Sequence, residues 1–246
     1  MRRVLAISLA AAACAGCTDP NTTAATPIVL GLDIGGTAAS AVDVQGRAIT
    51  FTSASLCVSG VETFAGEAVL AARADSRDWV FAVRDALSFA SAHAHPGHYE
   101  AGGTMGEVQG PVVVDLLAAA PAALTGEGIS GHHGSASLTL CDDDTLGGTA
   151  RLAGSVVLDD GSTRAFAFSA AAPDVIEGIP VDVDTSGDLT LQLQVQLAQV
   201  AARADFSVEA LAASTDEVFI AASGSQIDNA FARALQASST YVFSAR

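Results

Sequence analysis

Leu189-Thr190-Leu191-Gln192-Leu193-Gln194-Val195-Gln196-Leu197 alternates apolar and polar residues without a break. Successive side chains of a strand point to opposite faces, so this period of two puts five aliphatic side chains on one face and Thr190, Gln192, Gln194 and Gln196 on the other. The segment predicts a strand with one face in a core and the other in water. Ala48 to Ser55, Ser135 to Leu140, Ala150 to Leu158 and Ala165 to Ser169 show the same pattern, with Asp159-Asp160-Gly161-Ser162 as a hairpin turn between the last two. Ile28 to Ile34, Ala38 to Val44, Trp79 to Phe89, Val112 to Leu117, Val181 to Val183 and Tyr241 to Phe243 are further strand candidates.

Helical spacing is scarce. Ala230, Phe231, Ala234 and Leu235 mark a helix over Asp228 to Gln236, capped by Ser225 or Asp228. Leu116 to Leu124 is alanine-rich, but Pro121 interrupts it and predicts a loop or a single turn. Many short strands, one helix and no repeat of 20 to 50 residues imply an all-β fold. The expectation is an antiparallel β-sandwich with one short C-terminal helix. Residues 27–246 should form one domain, with Ala170 to Pro180 joining two lobes of the sandwich.

The start of the chain carries a different signal. Arg2 and Arg3 form a positive n-region, Val4 to Ala13 an apolar stretch too short to span a bilayer, and Ala15-Gly16-Cys17 a small-residue cleavage site. Met1 to Cys17 resembles a bacterial lipoprotein signal peptide. The resemblance implies removal of residues 1–16, acylation of the Cys17 thiol, and Cys17 as the mature N-terminus. Cys14 stands where such signals usually carry leucine, and cleavage before Cys14 is the other option. Residues 17–26 are polar and small, as a flexible tether requires. The implied location is the cell envelope, with a lipid bilayer as one partner. Thr18 rather than aspartate after the cysteine favours the outer membrane, on its periplasmic or surface face.

Charge narrows the partners. Without Arg2 and Arg3 the chain keeps 9 basic residues against 27 acidic ones, and it contains no lysine. No basic patch is available to release counterions from phosphate, so nucleic acid is not an expected partner. Once Cys14 is removed and Cys17 acylated, Cys57 and Cys141 are the two ordinary thiols left. Outside the cytoplasm they are expected to form a disulfide.

All five histidines fall in two clusters, His93-Ala94-His95-Pro96-Gly97-His98 and His132-His133. An extended Leu87 to His95 would put His93 and His95 on one face, about 7 Å apart, and the Pro96-Gly97 turn would fold His98 back toward them. Imidazole suits zinc and copper, Glu107 offers an oxygen donor, and the Met105 thioether would favour copper. His132 and His133, as neighbours in a strand, point to opposite sides, so at most one joins such a site. The expected role is therefore binding, with copper or zinc as the sharper reading and a protein or glycan interaction module as the alternative. Trp79 is the aromatic candidate for a contact patch on such a module.

Three further motifs carry less. Asp182-Val183-Asp184-Thr185-Ser186-Gly187-Asp188 resembles the start of an EF-hand loop, implying calcium on Asp182, Asp184 and Asp188, but position twelve is Leu193 instead of glutamate and a strand follows where a helix should. Leu30-Gly31-Leu32-Asp33-Ile34-Gly35-Gly36-Thr37 resembles the phosphate-binding strand and turn of sugar kinases of the actin-like ATPase superfamily. The alternating strand and helix pattern of that superfamily is missing, as is any lysine, so the stretch reads as a strand, a Gly-Gly turn and a second strand, with no nucleotide. Gly134-Ser135-Ala136-Ser137 lacks the Gly-x-Ser-x-Gly nucleophile elbow, and no pair of carboxylates stands out for acid and base roles. No enzyme activity is expected.

Overall fold

A computed structural model describes residues 25–37, 39–68, 102–171, 175–207, 218–222 and 224–246. The alternating segment forms strand β10 (Leu189–Val195), with Leu189, Leu191, Leu193 and Val195 buried and the residues between them half-exposed. β1 (Pro27–Gly36) runs parallel to it on one side, pairing Leu30 with Leu189 and Leu32 with Leu191. β12 (Tyr241–Ala245) runs antiparallel on the other side. The remaining strands are β2 (Ser40–Val42), β3 (Ala48–Phe64), β4 (Thr104–Asp115), β5 (Ala122–Ile129), β6 (Gly131–Leu140), β7 (Ala150–Val157), β8 (Thr163–Ala170), β9 (Val175–Thr185) and β11 (Val218–Ile220).

The protein is mostly β, but the expected pair of antiparallel sheets is replaced by one mixed sheet of twelve strands. Two pairings are parallel, β1 with β10 and β8 with β11. Apolar alternation specifies which face of a strand is inside and is silent about the direction of its neighbour. The sheet also curls on itself, bringing β9 beside β12 although hydrogen-bonded ladders join them only the long way round, through β6, β3, β4, β5, β1 and β10. Leucines from opposite walls of this half-barrel fill one core whose members run from Ile28 to Phe243.

The 17-residue strand β3 organises the sheet. Along one edge it pairs with β4 from Ser55 to Phe64. Along the other edge it changes partner, holding β7 from Ile49 to Leu56 and β6 from Val58 to Phe64. Cys57 lies between the two. Its N–H donates to the Thr149 carbonyl at 2.8 Å, at the foot of β7, and its carbonyl accepts from Cys141 N–H at 3.1 Å, at the end of β6. A Cys57–Cys141 disulfide pins this fork, as the cysteine count predicts. From the fork β7, β8 and β11 lead one way, while β6 and β9 lead the other.

Among the described residues one helix packs on β8 and a shorter one packs between it and β2. The expected helix is α2 (Gln226–Leu235), which starts two residues earlier than its spacing predicts because Ser225 is the cap, its hydroxyl accepting from Asp228 N–H. A five-residue helix, α1 (Leu197–Ala201), was too short to register as a period. Phe231 of α2 stacks on Phe168 of β8 at 3.8 Å, and Phe166 meets Phe206 at 4.9 Å. Beside these rings Asp43, its side chain wholly buried, accepts from the N–H groups of Gln45, Arg47 and Phe206. Arg47 bonds Asp43 and extends to Asp159 at 2.8 Å, holding the Asp159 carboxyl below the usual carboxylate range. The β2–β3 turn, the β7–β8 turn and the chain after α1 are thus tied to one guanidinium.

The Asp159 to Ser162 turn joins β7 to β8 as expected. Pro121 does end a loop, but β5 begins directly after it. The Trp79 to Phe89 candidate lies outside the described residues.

Cross-linking residues 84 apart removes loop entropy from the unfolded chain, so a Cys57→Ala, Cys141→Ala variant should lose on the order of 4 kcal/mol. Urea unfolding of oxidised wild type and of the variant measures this, and equal midpoints would show that the staple contributes nothing.

Candidate functional site

His132 and His133 lie near the start of β6 and face opposite sides, as alternation requires. His133 is fully buried. Its Nε2 lies 3.2 Å from the Ile129 carbonyl, which can only accept, so the proton sits on Nε2. Nδ1 lies 2.9 Å from the Thr63 hydroxyl oxygen. Burial lowers the His133 pKa below its ordinary value. This imidazole is a satisfied core group, and both of its nitrogens are occupied.

His132 faces outward on the other side, with Nδ1 3.1 Å from an Asp184 oxygen. The ladder between β6 and β9 places the two residues opposite each other. The three aspartates of the EF-hand-like stretch separate in space and in role. Asp182 sits in β9 with a left-handed φ of 51°, Asp184 faces His132, and Asp188 accepts from the Val29 N–H at 2.9 Å. Among the described residues no three His, Cys, Asp or Glu side chains come together as a metal would require. His93, His95, His98 and Cys17 lie outside the described residues.

The kinase-like stretch is strand from Leu30 to Gly36. Gly35 and Gly36 belong to β1, where the sequence predicts a turn. A Cβ on Gly36 would stand 2.5 Å from the Leu116 carbonyl oxygen, so close packing of the chain after β4 accounts for that glycine. Asp33 is held by Arg246 at 2.9 Å. Ser135, in the stretch tested for a nucleophile, donates to the Gly66 carbonyl.

Met105 and Glu107 lie on β4 and share an outward groove of about 670 Å³ across β4, β5 and β1. Its lining includes the apolar Pro27, Val29, Met105 and Ile129 and the charged Glu107, Glu127 and Asp188. The register explains their grouping. Glu62 of β3 is opposite Glu107 of β4, and Glu107 is opposite Glu127 of β5. Glu127 is in turn opposite Val29 of β1, whose N–H is bonded to Asp188. A row of carboxylates therefore crosses the outer face of neighbouring strands. The strands come unusually close there, since a Cβ on Gly126 would stand 2.0 Å from the Glu107 carbonyl oxygen.

Sequence reading singled out Glu107 and Asp188 for other reasons and missed Glu62 and Glu127 altogether. Those two are separated by 65 positions along the chain, and only strand register brings them into one row.

No family model, no curated protein and no solved structure matches this chain. Among the described residues no helix is long and apolar enough to cross a membrane.

The buried neutral state of His133 has a measurable consequence. Its folded pKa is depressed, so its contribution to stability is complete above the unfolded value of about 6.5 and is lost as pH falls below it, where the unfolded chain takes up a proton that the folded chain refuses. The urea midpoint of wild type should fall between about pH 7.5 and 5, and a His133→Gln variant should lack that part of the slope. Parallel slopes for the two proteins would contradict the buried neutral imidazole.

Proposed function

We propose that the mature chain is a lipid-anchored protein of the bacterial cell envelope, tethered through Cys17, that acts by binding and not by turnover. The observation that carries the binding role is the groove over β4, β5 and β1, which apolar side chains and carboxylates line together. A shallow site open to solvent suits the surface of another macromolecule better than a small substrate, which is usually buried over most of its area. The occupant in this reading is an envelope protein or glycan, and the tether of residues 17–26 gives the folded part reach from the bilayer. The outer membrane is the favoured address.

Capture of copper or zinc is the second reading, favoured by one specific arrangement. Asp184 holds Nδ1 of His132, the carboxylate–histidine pairing that orients a metal-binding imidazole through its other nitrogen. The Met105 methyl lies against Gly131, the residue before His132, which adds a soft donor nearby. In this reading His93, His95, His98 and Glu107 supply further ligands and His133 none.

Metabolic labelling with a palmitate analogue tests the anchor. Label should enter wild type and be lost in Cys17→Ser, with the protein released from membranes; unchanged labelling would refute the anchor. Elemental analysis of protein purified without a histidine tag separates the two binding readings. Stoichiometric copper or zinc lost in a His95→Ala, His98→Ala, His132→Ala variant supports the metal, and metal-free protein supports the interaction module.

A further inference from the structure

We propose that the groove over β4, β5 and β1 docks an extended, lysine- or arginine-rich segment of a partner protein. The proposal rests on the binding role of this groove and names the chemistry of its occupant.

Charge complementarity is the argument. Like charges directly opposite on neighbouring strands repel, and the Glu62, Glu107 and Glu127 row contains two such pairs in succession. Among the described residues no arginine is paired with any member of this row. The chain has no lysine, and among the described residues no arginine lines the groove. The polar contact made to this row within the described residues is neutral, from Gln109 Nε2 to Glu107 at 2.9 Å. The arginines that do meet carboxylates are committed elsewhere, Arg47 to Asp43, Asp159 and Asp205, and Arg246 to Asp33. Among the described residues the row therefore meets no cation, and its charge is complementary to a basic partner.

The apolar part of the groove points to a polypeptide. Val29 is half-exposed in a strand whose alternate residues are buried, and Met105 of β4 and Ile129 of β5 line the same groove. Long basic side chains place a methylene stem on such a surface and carry the charge to carboxylates such as Glu107, Glu127 and Asp188 in the same lining. Methionine adapts to side chains of different shape, which suits a segment defined by charge more than by sequence.

The test uses the mature chain and three fluorescent peptides of about eight residues, one alternating arginine and serine, one glutamate and serine, and one glutamine and serine, read by anisotropy at low and high salt. The arginine peptide should bind at least about tenfold more tightly than the other two and weaken as salt rises. Glu107→Gln, Glu127→Gln should weaken it about tenfold with the circular dichroism spectrum unchanged, while Asp142→Asn, Asp144→Asn, an equal change of charge at the fork, should not. Val29→Trp, which fills the groove without altering charge, should also abolish binding.

Equal losses in the two charge variants would reduce the effect to net charge and overturn the proposal. Tight binding of the neutral or acidic peptide that Val29→Trp removes would keep the groove as a binding site but refute the basic occupant. If Val29→Trp changes the binding of no peptide, the groove reading fails along with it. Calcium binding that depends on Glu107 and Glu127, without any peptide binding, would also overturn the proposal.

Discussion

Everything in this fold is arranged around a single strand edge shared between two partners. β3 is long enough to hold β7 along its first half and β6 along its second, and these two strands leave it in different directions. Backbone hydrogen bonds alone would leave the division between them weakly specified, because either strand can slide by two residues and still present the same face. Cys57 removes that freedom by bonding through its N–H to one branch, through its carbonyl to the other, and through sulfur to Cys141. With the fork fixed, β6 carries β9 round toward β12, and β7 and β8 carry the aromatic cluster capped by α2.

Polar groups inside the protein are consumed by that construction. Asp43 and Arg47 tie two turns and the chain after α1 together, and His133 bridges β3 and the end of β5 through Thr63 and the Ile129 carbonyl. Each of these buried groups has its partners, which is the condition for burying it at all. Among the described residues a different set of charges lies on the outer face. There the register lines up carboxylates on adjacent strands beside apolar side chains, and the same curl that encloses the leucine core presents that row to solvent.

Legibility followed the range of the interaction. Strands defined by alternation over several residues, such as Leu189 to Val195 and Ala150 to Val157, were readable because burial of one face imposes the pattern locally. β5 was not, since Ala122 to Ile129 mixes small and polar residues whose positions are set by the close approach of β4 at Gly126. The glycines of Leu30 to Thr37 suggested a phosphate turn, yet Gly36 is required by a neighbouring carbonyl. His133 offered a metal donor in the sequence and is a hydrogen-bonded core residue in the fold.

What the chain determined by itself was its β character, the inward face of its clearest strands, a helix near Asp228 to Gln236 and the pairing of Cys57 with Cys141, because each depends on local period or simple counting. What only the tertiary structure decided was the parallel placement of β1 beside β10, the curl that brings β9 to β12, and the row formed by Glu62, Glu107 and Glu127. Strand direction and register are agreements between segments distant in sequence, and no single segment carries the information for them.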